Sequence, residues 1–207
     1  MALPDGTSAK SAPGLSFPTV ADAEAELVER CVAGDESACS DLVDQHDRMV
    51  YQLAMHLLGE PNEALDLCQE VFLQVFRSLH RFRGQSALRT WIYRITVNQA
   101  RNRQRWWRRR RVDEQVSLDE HIQTCGDLPC RSNLTSPDRV LGQKELARRI
   151  WKALDTLPFD QRTAVILREI EGLSYEEIAF SLGVVVGTVK SRLARARATL
   201  RAELRDL

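Results

Sequence analysis

The chain has 207 residues, of which 43% are hydrophobic and 28% are charged. This composition is typical of a globular protein and excludes a disordered or fibrous chain. The longest uninterrupted apolar run has four residues, Ala164 to Leu167, so the sequence predicts no membrane-spanning helix. The N-terminus lacks the pattern of a secretory signal, and five scattered cysteines indicate a reducing compartment.

The net charge of zero conceals a strong segregation of charge along the chain. Residues 1–76 carry 14 acidic and 3 basic side chains, whereas residues 77–111 carry 12 arginines and no acid. Residues 112–207 are nearly balanced, with 14 basic and 15 acidic side chains. A charge of +12 within 35 residues predicts an anion-binding surface.

The N-terminal half is predicted to be a disordered tail followed by four helices. Residues 1–21 are rich in Ser, Pro, Gly and Ala and have no periodicity. Apolar residues then recur at helical spacing, with breaks at Gly34 and Gly59. A third amphipathic helix covers residues 65–79, and a fourth begins at Leu88 and continues into the arginines.

The helical periodicity is lost after Arg111 and returns further along the chain, which predicts a second domain. Residues 113–139 contain Gly126, Pro129 and Pro137 and little periodicity, so we interpret them as a flexible linker of about 30 Å mean end-to-end length. Helical periodicity returns in four segments, near residues 146–157, 165–170, 174–182 and 186–204. No strand-like alternation occurs. The predicted fold is all-α, with two small helical domains at residues 22–112 and 140–207.

The strongest local signal is a helix-turn-helix. Ser174 followed by Glu177 forms a capping box, which starts a helix. Gly183 can adopt the left-handed conformation that ends this helix, and Thr188 then lies in the first turn of the next. Two short helices around a glycine-containing turn have the layout of a DNA-binding helix-turn-helix.

The second helix of this motif has one apolar face toward the core and an opposite face of small residues flanked by basic ones. At about 100° per residue, the core face holds Val189, Leu193, Ala196 and Leu200. The opposite face holds Gly187, Ser191, Ala194, Arg195 and Ala198, flanked by Lys190, Arg192 and Arg197. Small residues and basic flanks are what a major-groove reader needs. The alternative interpretation is a solvated basic helix of an ordinary bundle.

The arginine block at residues 101–111 is the second signal, with seven arginines in eleven residues. Polar and aromatic side chains precede it on the same helix, namely Arg89, Tyr93, Arg94 and Asn98, and Asn102 lies within it. Arginines can follow a phosphate backbone while aromatic and amide groups contact bases, which suits single-stranded nucleic acid. A localisation signal or a membrane-surface patch would have a similar composition. We expect Trp91 to belong to the core, whereas Trp106 and Trp107 cannot both be core residues.

Two separate segments resemble bacterial RNA polymerase sigma factors. The sequence from Ala64 to Asn98, with Asp66, Gln69 and Arg81-Phe-Arg-Gly84 within it, resembles their region 2. The sequence from Leu157 to Arg197 resembles their region 4. The resemblance covers about residues 24–111 and 140–205. A chain with only these two regions is similar to the extracytoplasmic-function (ECF) subgroup.

The resemblance implies a dissociable, cytoplasmic promoter-specificity subunit without enzyme activity, catalytic residues, cofactor or metal. Its implied partners are the core RNA polymerase, promoter DNA and an anti-sigma factor. The implied contacts with core polymerase are Asp66, Gln69, Glu70 and Phe72. The implied readers of the single-stranded −10 element are Arg83, Tyr93, Arg94, Asn98, Arg101 and Asn102. The implied readers of the duplex −35 element are Thr188, Lys190, Ser191, Arg192 and Arg195.

Two other functions and one other site stay open at this point. The helix-turn-helix could serve a transcription factor that binds duplex DNA by itself. A nucleic-acid-processing enzyme has less support, because the four histidines show no metal or triad spacing. In the linker, His121, Cys125 and Cys130 could bind zinc or act as a redox pair, although structural zinc normally has four ligands. Three further cysteines lie in helical patterns and are expected to be buried apolar residues: Cys31, Cys39 and Cys68.

Overall fold

The computed structural model describes residues 22–110 and 137–205, and every regular element in those residues is helical. The predicted all-α class is therefore confirmed. The predicted tail, most of the predicted linker, and the group His121, Cys125 and Cys130 lie outside the described residues. The N-terminal bundle contains α1 (Asp22–Val32), α2 (Glu36–Leu58), α3 (Pro61–Ser78), a 3₁₀ turn (Leu79–Arg81) and α4 (Leu88–Arg110).

The C-terminal bundle begins three residues earlier than the predicted boundary at residue 140. It contains α5 (Pro137–Asp155), α6 (Phe159–Val165), a π-helical turn (Ile166–Ile170), α7 (Tyr175–Leu182) and α8 (Val186–Glu203). Helices α7 and α8 coincide with the predicted helix-turn-helix.

Local side-chain chemistry explains where α2 and α3 begin and end. The Asp35 carboxylate accepts hydrogen bonds from the backbone N–H groups of Ser37 (2.9 Å) and Ala38 (3.2 Å), which caps the first turn of α2. Gly59 ends α2 with φ = 75°, a left-handed conformation that glycine adopts at little cost. Pro61 then occupies the first turn of α3, where its missing N–H needs no partner.

The N-terminal bundle encloses a core in which α2 packs on both α3 and α4, and α1 packs on α2. Leu42, Leu53 and Leu67 have no exposed surface in this core. Cys31 is buried, as expected, while Cys39 and Cys68 are only partly buried. Trp91 packs against the core with Phe82, their ring centroids 5.4 Å apart. Trp91 therefore packs on the edge of the core, where it is only partly buried.

The thiols of Cys31 and Cys68 should react slowly in the folded protein. Burial raises the pKa of each thiol to about 11. The neighbouring Cys39 also raises the pKa of Cys31, and the carboxylate of Asp47 also raises that of Cys68. At pH 8 only about one thiol in a thousand is then ionised, and the thiolate is the nucleophile. We expect iodoacetamide to modify both at least about tenfold more slowly than in urea-unfolded chain, as measured by peptide mass spectrometry. Equal rates in the two states would contradict the burial described here.

The two bundles share one continuous core rather than remaining apart. Helix α4 lies along α7, and α2 approaches α6. Thr90 on α4 and Ser181 on α7 are both buried, and the Ser181 hydroxyl donates a hydrogen bond to the Thr90 carbonyl at 3.4 Å. Small polar residues at this crossing let the two helix backbones approach closely.

Three apolar side chains of the C-terminal bundle are exposed although they lie in segments with helical apolar periodicity. Leu146, Ile150 and Ile170 are 43%, 38% and 46% exposed, respectively. Trp151 of α5 reaches the N-terminal bundle, where its ring stacks on that of His56 with the centroids 4.8 Å apart.

Candidate nucleic-acid interface

The helix-turn-helix has the local geometry that the sequence predicts. The Ser174 hydroxyl accepts a hydrogen bond from the Glu177 N–H at 3.2 Å, and the Glu177 carboxylate accepts one from the Ser174 N–H at 2.8 Å. This reciprocal capping box starts α7. Gly183 ends α7 with φ = 66°, so a side chain there would be strained. The turn therefore fixes the direction in which α8 leaves.

One face of α8 packs inward and the opposite face is open, as the phasing predicts. Val189, Leu193 and Ala196 are buried. On the open side, Gly187, Lys190, Ala194, Arg195 and Ala198 are exposed, and so are Arg197 and Thr199. The glycine and the two alanines leave room for a surface to approach between Lys190 and Arg195.

The predicted −35 readers differ in how accessible they are. Lys190 and Arg195 are exposed, and the Lys190 ammonium lies 5.8 Å from the centroid of the Tyr175 ring. Ser191 is partly buried and donates its hydroxyl to the Thr188 carbonyl at 2.9 Å. Arg192 is committed elsewhere, because its guanidinium donates to the Asp160 carboxylate at 2.8 Å. Of the five predicted −35 readers, Lys190 and Arg195 are therefore the two exposed cations.

A second polar face runs along α4. Arg94, Asn98 and Asn102 are exposed and follow one another at a spacing of four residues, so they lie on one side of the helix. Arg105 continues the row, and Arg83 is exposed in the loop before α4. Guanidinium and amide groups in one row can contact a phosphate backbone and base edges together.

The loop before α4 also contributes to a small cavity of about 160 Å³. Its lining combines aromatic rings with cations and comes mainly from the loop and from α4, with one residue from α7: Arg81, Phe82, Arg83, Gln85, Ser86, Trp91, Arg94 and Phe180. The Arg94 guanidinium lies over the Phe180 ring, 5.1 Å from its centroid. A cation and an aromatic face at one cavity suit the binding of a planar base.

Tyr93, a predicted −10 reader, is fully buried between the bundles. Its hydroxyl donates to the Glu171 carboxylate at 2.6 Å and accepts from the Arg89 guanidinium at 3.0 Å. Burial raises the pKa of Tyr93, and the hydrogen bond to Glu171 raises it further. Burial alone would also raise the pKa of Glu171, but the neighbouring His56, Tyr93 and Arg89 lower it by more. Glu171 is therefore a carboxylate at neutral pH.

Part of the arginine block is neutralised inside the protein. Arg101 pairs with Asp160 at 3.0 Å. Arg103 pairs with Glu63 at 2.7 Å and with Glu70 at 2.6 Å. Carboxylates of the protein itself, two of them from α3 at Arg103, therefore neutralise part of the charge that predicted an anion-binding surface. Arg105 and Arg109 are exposed.

The two tryptophans within the arginine block differ in their burial. Trp106 is exposed and Trp107 is partly buried, so the two are not both core residues.

The outer face of α3 carries most of the predicted polymerase contacts. Asp66 and Gln69 are exposed, and Glu70 is exposed but also holds Arg103. Phe72 is only 9% exposed, so it belongs to the core and is a correction to the predicted surface. Leu65 and Leu73 are 53% and 55% exposed and border Gln69 at a spacing of four residues. Leu65 lies in the segment whose periodicity predicts an amphipathic helix, and only its position beside Asp66 and Gln69 indicates that it faces solvent.

The described residues contain neither a metal-binding cluster nor a membrane-spanning helix. Within residues 22–110 and 137–205, no group of three or more His, Cys, Asp or Glu side chains is arranged to hold a metal ion. In the same part of the chain, no helix is both long and apolar enough to cross a bilayer.

Comparison with family models gives two matches in the expected order. Residues 42–112 match the family described as Sigma-70 region 2, and residues 147–200 match Sigma-70, region 4. The first match contains the exposed face of α3 and all of α4. The second contains the helix-turn-helix.

Known proteins resemble the chain over most of its length. The RNA polymerase sigma-H factor of Pseudomonas aeruginosa is 38% identical over 88% of this chain and 94% of its own. The ECF RNA polymerase sigma-E factor of Escherichia coli K12 is 36% identical over 87% of this chain and 94% of its own. Among solved structures, the sigma factor RpoE of Bartonella quintana, bound to the anti-sigma factor NepR, has 26% identity and a TM-score of 0.60, covering 80% of this chain and 96% of its own.

A second solved structure, CnrH in complex with the cytosolic domain of CnrY, has 25% identity and a TM-score of 0.63. It covers 89% of this chain and 99% of its own. Sequence and fold therefore agree over both bundles, and the chain belongs to the ECF family of RNA polymerase sigma factors.

Proposed function

We propose that this sigma factor directs core RNA polymerase to promoters by reading a duplex −35 element with α8 and a single-stranded −10 element with α4. The observation that carries this proposal is the presence of two distinct exposed surfaces with basic and polar side chains, one in each sigma region. The family membership supplies the polymerase as the partner. We further propose that the chain acts in the cytoplasm and has no enzyme activity of its own.

The contact with core polymerase is proposed to use the exposed face of α3. This face combines carboxylate, amide and leucine side chains: Leu65, Asp66, Gln69, Glu70 and Leu73. Exposed leucines beside an acid are unusual on an unpartnered helix and suit a basic, amphipathic partner helix. Phe72 would support this face from the core below it.

The −35 element is proposed to be read in the major groove by α8. The face of α8 that carries Lys190, Ser191 and Arg195 otherwise has small side chains, so the helix could lie deep in the groove. These three residues would then reach the edges of the bases. Thr188 and Arg192 lie to the side and would contact phosphates. The contact of Arg192 requires that it leave Asp160.

The −10 element is proposed to be held as a single strand by α4 and the preceding loop. Arg83, Arg94, Asn98 and Asn102 are exposed for this contact, and the cavity beside Trp91 is large enough for part of a base. Because the sequence has no ATP-binding motif, the free energy for melting the promoter duplex would come from binding alone. Contacts between α4 and the separated bases would offset the cost of unstacking those bases.

We also propose that an anti-sigma factor controls this chain. The support is that a solved relative with the same two-bundle fold, RpoE of Bartonella quintana, was determined in complex with the anti-sigma factor NepR.

Co-purification with core polymerase tests the proposed function against a stand-alone transcription factor. A tagged chain is expected to retain the polymerase subunits through size-exclusion chromatography. It is also expected to bind duplex promoter DNA weakly until core polymerase is added. Tight, sequence-specific binding to duplex DNA by the chain alone, with no retained polymerase, would contradict the proposal.

Replacing a reader on α8 should weaken promoter discrimination. We expect Lys190→Ala or Arg195→Ala to cost about 1–3 kcal/mol of discrimination between a −35 site and a mutated site. Arg201→Ala, near the C-terminal end of α8, is the matched control and should change discrimination little. The measurement is run-off transcription by the reconstituted holoenzyme on both templates. Unchanged discrimination in both reader variants would remove α8 as the reading helix.

A further inference from the structure

We propose that Cys31 and Cys39 form a redox-responsive modification site, at which a hydroperoxide oxidises the two thiols to a disulfide that joins α1 to α2. Both cysteines are free thiols in the structure. They lie on helices other than α3, α4 and α8, which carry the proposed contacts with polymerase and DNA. The modification therefore does not depend on those contacts.

The turn between α1 and α2 is held in one geometry by local bonds. The Gly34 N–H donates to the Cys31 carbonyl at 3.1 Å, and the Asp35 N–H donates to the Arg30 carbonyl at 3.1 Å. The Asp35 carboxylate also pairs with the Arg30 guanidinium at 2.7 Å. The Asp35 carbonyl accepts from the Cys39 N–H at 3.0 Å. The last turn of α1 and the first turn of α2 are thus fixed with respect to each other.

This turn brings the two cysteine side chains together. The Cys39 Sγ lies 4.0 Å from the Cys31 carbonyl oxygen, within reach of a weak S–H hydrogen bond. The two thiols also interact directly: after burial, the neighbouring Cys39 raises the pKa of Cys31 more than the Asp35 carboxylate does. Cys31 is 8% exposed, whereas Cys39 is only partly buried. The pair therefore has one accessible thiol next to one buried thiol, as in cysteine pairs that respond to oxidants.

The reaction takes two steps, with hydrogen peroxide as the simplest oxidant of its class. In the first, the Cys39 thiolate attacks one peroxide oxygen: an S–O bond forms, the O–O bond breaks, and the other oxygen takes up a proton and leaves as water. In the second, the Cys31 sulfur attacks the sulfur of the Cys39 sulfenic acid. The S–S bond forms, the S–O bond breaks, and the hydroxyl leaves as water with the Cys31 proton. Two thiols are thereby oxidised, and one peroxide is reduced to two waters.

The burial of Cys31 suits it to the second step rather than the first. Its raised pKa, about 11, keeps the thiol protonated and slow to react with a dissolved reagent. A sulfenic acid on Cys39 would already lie beside it, and groups held together react as if at a concentration far above that of any dissolved reagent. Cys31 is therefore oxidised through Cys39, although it is alkylated slowly.

The disulfide would fasten α1 to the rest of the N-terminal bundle. Helix α1 packs on α2 and on the 3₁₀ turn Leu79–Arg81, and it buries Leu27 and Val28. The new bond would close a loop of only nine residues, 31–39. The end of α1 could then no longer move away from the start of α2, so oxidation should slow the local opening of α1.

The experiment treats the folded full-length chain with hydrogen peroxide and then alkylates the remaining thiols with iodoacetamide in urea. Tryptic peptides are identified by mass spectrometry. Trypsin cleaves after Arg30 and Arg48, and the peptide between them contains Cys31 and Cys39 and no other cysteine. A disulfide leaves this peptide unalkylated and about 2 Da lighter than the dithiol. Cys68 lies on another peptide and is the internal control, because its pKa is raised to about 11 as well.

We expect the disulfide form of this peptide to exceed the form with a sulfinic acid at Cys39 by at least about tenfold. Cys68 should be recovered mainly in its alkylated form. Amide hydrogen exchange in α1 should be at least about threefold slower in the oxidised chain than in the reduced chain. A sulfinic acid at Cys39 with Cys31 still alkylated would overturn the proposal, as would unchanged exchange in α1.

Two variants test the order of the steps. In Cys31→Ser, the oxidation of Cys39 should stop at the sulfenic acid, which dimedone traps, whereas Cys39→Ser should leave Cys31 reduced. Oxidation of Cys31 at the wild-type rate in Cys39→Ser would overturn the assigned order. Circular dichroism verifies that each variant is folded, and the peptide map of the wild-type chain decides the proposal by itself.

Discussion

Reversing one charge on α3, by Asp66→Arg, should prevent the chain from associating with core polymerase. Asp66 is exposed at the centre of the proposed contact face, between Leu65 and Gln69. A reversed charge facing a basic partner loses one attraction and gains one repulsion, a cost of about 2–5 kcal/mol or more. We expect the dissociation constant to rise at least about 30-fold, as measured by titration of labelled core polymerase.

The matched control for this substitution is Asp44→Arg on α2, where an acid is likewise exposed. Its affinity for core polymerase should remain close to that of wild type. Reversing Glu70 together with Asp66 should also abolish association, but Glu70→Arg would set a cation against Arg103 and disturb the packing of α3 on α4. Asp66→Arg is therefore the cleaner variant, and normal affinity in it would refute the assigned contact face.

Truncating the centre of the helix-turn-helix, by Ile178→Ala, should destabilise the C-terminal bundle severely. Ile178 in α7 has no exposed surface. Removing a buried isoleucine side chain to its Cβ leaves a cavity and costs about 2–5 kcal/mol. Since domains are typically stable by only about 5–15 kcal/mol, this loss is a large share of the total. Urea unfolding followed by circular dichroism measures it.

The control for this truncation is Ile150→Ala in α5, which makes the same chemical change at a side chain that is 38% exposed. The expected loss there is below about 1 kcal/mol. A similar loss at both positions would mean that Ile178 does not lie at the centre of the core described here.

Local signals predicted the helix-turn-helix well. The capping box at Ser174 and Glu177 and the left-handed turn at Gly183 depend on backbone chemistry within a few residues. The inward residues of α8 follow from a fixed angle per residue. Such features need no knowledge of distant parts of the chain, so sequence alone defined them.

Partners that lie far apart in the chain could not be predicted in the same way. Tyr93 and Glu171 are separated by 78 positions, and Arg101 and Asp160 by 59. Periodicity indicates which face of a helix is apolar, but it does not indicate which helix covers that face. For this reason the sequence assigned Tyr93 to an open DNA-reading face, whereas the structure places its ring between the two bundles.

The segregation of charge along the sequence predicted only part of the charged surface correctly. The charge distribution of the sequence predicted one anion-binding surface, formed by the arginines of residues 77–111. In the fold, Glu63 and Glu70 of α3 lie against Arg103 of α4. The exposed part of the block, including Arg105 and Arg109, is correspondingly smaller than the sequence implied.

Run-off transcription with purified core polymerase tests the central claim most directly. Linear fragments of the source genome serve as templates, and the transcripts are sequenced in reactions with and without the chain. The account predicts transcripts with discrete 5′ ends that require the chain, whose templates share two upstream elements at a fixed spacing. Transcription that is the same with and without the folded chain would contradict it.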